Sequence, residues 1–120
     1  MVQYTAAPLD ASFAALSDPT RRGVLELLAR ADASISGLAE KFRMTLTGMK
    51  KHVGVLEKAG LVTTRKVGRV RTCRLGQLGL AAEAEWIERY RQLWEARFGE
   101  LDKVIGELKL KEEDRGPKDK

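Results

Sequence analysis

Residues 45–75, TLTGMKKHVGVLEKAGLVTTRKVGRVRTCRL, change period partway along, and that change decides the fold. In the first half Leu46, Met49, Val53 and Leu56 recur at intervals of 3, 4 and 3, which is one apolar stripe on a helix. Thr45 suits the N-cap of that helix, which is expected to run to about Ala59. Thr47, Lys50, Lys51, Gly54 and Lys58 fall mainly on its other faces, and Gly60 suits a left-handed stop. From Leu61 onward the chain is rich in Val, Thr and alternating charge. Strands Val62–Val67 and Val70–Leu75 are predicted about a two-residue turn, with Gly68 in its first central position and Arg69 in its second.

Working back from Thr45, Arg43-Met44-Thr45 makes a tight break after a short helix, whose inward residues would be Leu38, Ala39 and Phe42. Ser36 is the expected cap of that helix, preceded by a brief extended piece, Ala33-Ser34-Ile35. Further back, Asp18 suits an N-cap and Pro19 the first helical position. The helix so opened carries Val24, Leu25, Leu27 and Leu28 on a broad apolar face and should end near Ala31-Asp32. Leu9, Phe13 and Leu16 mark a short first helix, and residues 1–8 read as a flexible arm.

Working forward, the Gly-rich joint from Gly76 to Gly79 leads into a long helix over 81–109. Its seam is Ile87, Tyr90, Trp94, Phe98, Leu101, Ile105 and Leu108, spaced 3, 4, 4, 3, 4 and 3, which is the coiled-coil period. Such a helix is about 43 Å long, more than the rest of one small domain can cover, so its far end predicts a partner helix. The charged stretch 111–120, KEEDRGPKDK, has nothing to bury and reads as a disordered tail. One domain over 9–110 is therefore expected, mainly α with a small β-hairpin. The predicted order is two helices, a short extended piece, two helices, the hairpin and the long helix, and that order is a winged helix-turn-helix.

Charge is distributed unevenly over this frame. Residues 41–74 hold ten Lys and Arg against one acid, Glu57, a net of +9, whereas each flank nets −2 and the whole chain +5. A basic third on such a frame points to a polyanion, and a helix-turn-helix places its second helix in the major groove of duplex DNA. The N-terminal half of that helix presents Thr45, Thr47, Gly48, Lys50 and Lys51. Free N–H groups at a helix start favour phosphate, and Lys50 can donate to guanine O6 and N7. Gly48 and Gly54 each weaken the helix by about 1 kcal/mol relative to Ala, which close approach of DNA or a neighbouring strand would offset. The hairpin adds Arg65, Lys66, Arg69 and Arg71, with Arg69 at the tip placed to reach a neighbouring minor groove or its phosphates.

These residues resemble a known family. Ala15-Leu16-Ser17-Asp18-Pro19-Thr20-Arg21-Arg22, followed by Val24-Leu25-Glu26-Leu27-Leu28, is similar to the opening of ArsR-type bacterial repressors. So is the segment from Lys51 to Val62, KHVGVLEKAGLV, and the Gly68-Arg69 wing and the Trp-bearing last helix fit as well. The resemblance covers roughly residues 10–108. It implies a homodimer built from the first and last helices that binds operator DNA, usually as a repressor. Leu9, Phe13, Trp86, Tyr90, Trp94, Phe98, Leu101 and Ile105 would then lie in the dimer interface, and the operator should be an imperfect inverted repeat. The metal-sensing members often carry a Cys-x-Cys pair where this chain has Ser34 and Ser36, and the last helix holds no histidine, so the resemblance is to the branch that senses no metal. The residues name no small-molecule effector. His52 corresponds to a histidine common in the family and is read as a packing or hydrogen-bonding residue. Cys73 stands where a tyrosine is frequent and is read as a small buried hydrophobe.

Other classes fare worse. One His, one Cys and no glycine-rich phosphate loop leave neither a metal site nor a Cys-His pair, so neither an enzyme nor a cofactor is expected. No apolar run approaches the ~20 residues a membrane span needs. The start, MVQYTAAPLDAS, lacks the pattern of a secretory signal, and a single cysteine suits a reducing compartment, so a cytoplasmic protein is expected. The alternative is a winged helix that binds an acidic protein partner through the same basic residues.

Overall fold

The computed structural model describes residues 3–77 and 79–115, and the side chains among them other than those of 3–8, 101 and 113–115. Five helices and three strands follow in the order α1 (Gln3–Leu16), α2 (Pro19–Leu28), β1 (Ala33–Ser34), α3 (Ile35–Lys41), α4 (Leu46–Lys58), β2 (Val62–Val67), β3 (Val70–Leu75) and α5 (Ala81–Arg115). The chain forms two compact units, Met1–Glu83 and Ala84–Lys120.

In the first unit the core is assembled from one face of each element. Val24 and Leu28 of α2, Leu38 of α3 and Met49, Val53 and Leu56 of α4 are all buried, with Val62 and Cys73 closing the sheet side. Each large apolar side chain contributes about 1.5–3 kcal/mol on burial, so this cluster outweighs any single cap in holding the helices together. The sheet is antiparallel in the order β1-β3-β2. Cys73 on the central strand pairs with Ala33 on one side and Thr64 on the other. The hairpin register closes on Val67 opposite Val70, as the turn residues predict, with Gly68 at φ 63° and no positive φ at Arg69.

Side chains close the helix ends. The Asp18 carboxylate accepts from Arg21 N at 3.0 Å, with Pro19 opening α2. Thr45 Oγ1 accepts from Gly48 N at 3.0 Å and caps α4. At the other end of α4, Gly60 N donates to the Glu57 carbonyl and Leu61 N to that of Leu56, a Schellman closure with Gly60 at φ 78°. The same closure ends α3. Arg43 N donates to the Glu40 carbonyl and Met44 N to that of Ala39, but here the left-handed position belongs to Arg43, φ 55°. The turn between the two short helices is therefore a Schellman motif built without glycine.

Arg21 and Arg22 close α1 from outside it. Arg21 Nε and Nη2 donate to the carbonyls of Ala15 and Ala14 at 2.8 and 3.1 Å, and Arg22 Nη1 donates to that of Leu16 at 2.7 Å. Arg21 Nη1 also reaches His52 Nδ1 at 3.2 Å. A guanidinium has no acceptor, so the imidazole nitrogen accepts and His52 is a hydrogen-bonding strut between the α1 terminus and α4.

Several expectations are corrected. The cap of α3 is Ser34 rather than Ser36: Ser34 Oγ accepts from Gly37 N at 3.0 Å, and the helix starts one residue beyond it. Helix α2 stops at Leu28 rather than near Asp32, because Ala29 and Arg30 turn to deliver β1 to the sheet. Helix α1 begins at Gln3 rather than near Leu9, through the helix-favouring Ala6 and Ala7. Helix α5 continues to Arg115, six residues past the expected end, through Lys, Glu and Arg of good helix propensity. Leu46 does not join the core stripe; as the first residue of α4 it lies beyond the packed layer and is 45% exposed. Residues 116–120 of the expected tail lie outside the described residues.

Candidate nucleic-acid interface

Helix α4 is held by its buried stripe and by the Thr45 cap, which leaves its N-terminal polar face outward: Thr47, Lys50 and Lys51 are exposed, and Gly48 is half-buried. A Cβ at Gly48 would stand 3.1 Å from Thr45 Oγ1, so the cap hydroxyl itself crowds this position. A Cβ at Gly54 would meet no atom within 4 Å outside its own helix, so no closely packed strand explains that glycine.

The hairpin sorts its cations by strand alternation. Lys66 pairs with Arg71 across the register, on the sheet face shared with buried Cys73, whereas Arg65 pairs with Thr72 on the opposite face. One cleft of about 260 Å³ therefore gathers Lys50 of α4 with Lys66, Arg69 and Arg71 of the wing. Its floor includes Leu46 and Val70, both exposed, and Ile35 at the start of α3. Of the expected contact residues, Thr45, Thr47, Gly48, Lys51 and Arg65 stand outside this cleft. Arg74, also on β3, lies 3.9 Å from Asp32.

Arg71 is tethered. Its Nη1 donates to Thr64 Oγ1 at 3.1 Å, and Thr64 Oγ1 donates in turn to Glu57 Oε2 at 2.8 Å. The one acid of the basic segment thus links the C-terminal half of α4 to both wing strands. Sequence spacing gave no sign of this chain, because its members are seven residues apart in each step and meet only through the sheet. Cys73 is fully buried and its thiol is pushed above its ordinary value by burial first and by Glu57 second, with Arg71 opposing. That environment disfavours a reactive thiolate. Among the described residues no group of three or more His, Cys, Asp or Glu is placed to hold a metal ion, and Ser34 is occupied as a cap.

In the second unit, Trp86, Tyr90, Trp94, Phe98 and Ile105 of α5 are between 42% and 54% exposed. The aromatic residues stack along the helix: Trp86 and Tyr90 lie 5.6 Å apart with planes 2° from parallel, and Trp94 and Phe98 lie 4.7 Å apart at 36°. The other side of α5 carries ion pairs, Arg89 with Glu85 and Arg91 with Glu88 and Glu95. Leu9 of α1 is half-buried and Phe13 is 36% exposed, and the Leu101 side chain lies outside the described residues.

A braced short helix, a second short helix with a polar N-terminal face, and a cationic β-hairpin alongside it define a winged helix-turn-helix DNA-binding protein. A helix-turn-helix domain family matches residues 16–65. The chain is 33% identical over 81 residues to HTH-type transcriptional regulator Rv2034 of Mycobacterium tuberculosis, covering 68% of this chain and 76% of that protein. It is 29% identical over 75 residues to transcriptional repressor SdpR of Bacillus subtilis, covering 62% and 83% respectively. The crystal structure of an ArsR family transcriptional regulator superposes with a TM-score of 0.69 at 43% identity, covering 73% of this chain and 91% of that one. The chain belongs to the ArsR family of transcriptional regulators.

Proposed function

We propose that this regulator is a repressor that binds an inverted-repeat operator as a homodimer in the cytoplasm. The observation that carries the reading is the shared cleft: Lys50 on the recognition helix and Lys66, Arg69 and Arg71 on the wing converge on one concave surface. Four cations so placed match adjacent phosphates and a groove edge, and Lys50 is the residue placed to donate to guanine. Thr47 and Lys51 flank it, Thr45 and Gly48 bring the helix start close to the backbone, and Arg65 serves the phosphates from the outer face of the wing. Repression is supported by the likeness to a protein named as a repressor. Dimerisation is supported by the apolar stripe of α5, because exposed apolar area of that extent on a helix marks an interface. Leu9 and Phe13 of α1 join that interface in this reading, and no catalytic step is assigned.

A mobility-shift titration on duplexes selected from a random pool tests the reading. Specific binding should weaken steeply with salt, with a log–log slope of about −0.9 for each phosphate neutralised. Failure to bind any duplex at about 50 mM salt, where counterion release is strongest, would overturn it.

A further inference from the structure

We infer that Leu46 is a specificity-determining residue that reads the 5-methyl group of a thymine within about two base pairs of the guanine read by Lys50. The inference rests on the DNA-binding reading of the cleft. Leu46 is the first residue of α4, directly after the Thr45 cap, and it remains 45% exposed although its spacing from Met49 belongs to the buried stripe. It shares one cleft with Lys50, Lys66, Arg69 and Arg71. Charge decides the occupant: four cations in a space of about 260 Å³ exclude an apolar protein segment and favour a polyanion. Within the major groove the thymine methyl is the one apolar group a base edge presents, so an apolar side chain at the reading end of the helix has one chemical match.

Position supports the same pairing. Leu46 and Lys50 lie one helical turn apart, so both project from the same side of α4. With the helix along the groove, four residues span about 6 Å, or about two base-pair steps of 3.4 Å. The half-site should therefore hold a thymine within about two base pairs of the guanine that Lys50 contacts. The Thr45–Gly48 cap fixes the backbone at Leu46, so the side chain is presented from an ordered turn.

The test begins with duplexes selected by the full-length protein from a random pool. Each thymine of the half-site is then replaced by deoxyuridine, which deletes only the methyl group, and affinity is measured for the native protein and for Leu46→Ala. One position should lose about fourfold in affinity with the native protein, the worth of one buried methyl, and lose nothing further with Leu46→Ala. A native protein indifferent to every deoxyuridine, or a Leu46→Ala variant with the same sensitive position, overturns the inference while leaving DNA binding intact. Selection of no duplex at all overturns the DNA-binding reading and this inference with it. The deoxyuridine scan of the native protein needs no variant, so a folding defect in Leu46→Ala would not shelter the proposal.

Discussion

Arg43 occupies a left-handed position that, at a helix end, usually belongs to glycine, and a side chain there costs about 1–2 kcal/mol through the clash of Cβ with the following carbonyl. Its side chain is exposed, and its backbone N–H already closes α3, so glycine would keep the turn and remove the clash. Arg43→Gly should raise stability by about 1 kcal/mol, read from the urea midpoint, whereas Arg43→Val should lower it by at least as much. At Asp18 the backbone N–H of Arg21 chiefly holds the carboxyl below its ordinary value of 3.8; partial burial opposes, and His52 and Arg21 add to the lowering. A carboxylate with a lowered folded value stabilises fully above its unfolded value and loses that stabilisation as pH falls through the folded one. Asp18→Asn keeps a capping side chain but no titration. The advantage of the native protein over this variant, followed by thermal unfolding, should therefore shrink as pH falls below the ordinary carboxylate range.

Among the elements, α4 reconciles two demands, a stable fold and a polar reading face. Gly54 lies in mid-helix with open space where a Cβ would stand, so Gly54→Ala should add about 1 kcal/mol to stability, read by chemical denaturation. Gly48→Ala should gain less, because its Cβ would press on the Thr45 cap hydroxyl at 3.1 Å. The hairpin was fully legible in the sequence, since Gly68 in a two-residue turn admits one register and every pair follows from it. The recognition helix was legible for the same reason: Met49, Val53 and Leu56 repeat with one period over their whole length. What escaped is local. Two serines two residues apart offer the same cap chemistry, and only the pairing of Ser34 with Thr72 selects the first. Periodicity carries no information on where a stripe leaves the core, so Leu46 read as buried. The left-handed Arg43 had no glycine to announce it. Of the candidate site, the cations of the cleft were legible from charge and motif, but their division between the two wing faces needed the register, and the Glu57–Thr64–Arg71 chain needed the sheet.

At the scale of the whole molecule, the apolar side of α5 is left unbalanced. A helix of 35 residues is about 52 Å long, and its stripe of Trp94, Phe98 and Ile105 faces water in the single chain. In the proposed homodimer a second copy would bury it, and folding would then be linked to association. The melting temperature should rise with protein concentration. Replacing both Trp94 and Phe98 by Glu should give monomers in analytical ultracentrifugation and abolish that dependence; a dimer that survived both changes would reject the assigned interface. The monomer should also bind DNA far more weakly, because a second half-site contact is lost.

The root of the wing is closed by backbone alone. Gly76 N donates to the Leu61 carbonyl at 2.9 Å, and the Gly76 Cα lies so near the Gly60 carbonyl that a Cβ would meet it at 2.3 Å. With the ladder complete from Val62 to Val67, only Gly68 and Arg69 remain without a cross-strand partner. Fixing a residue costs about 1–2 kcal/mol of conformational entropy. If the hairpin docks on a duplex as proposed, its backbone entropy is already spent when the protein folds, and what is left to order is chiefly the long Lys and Arg side chains.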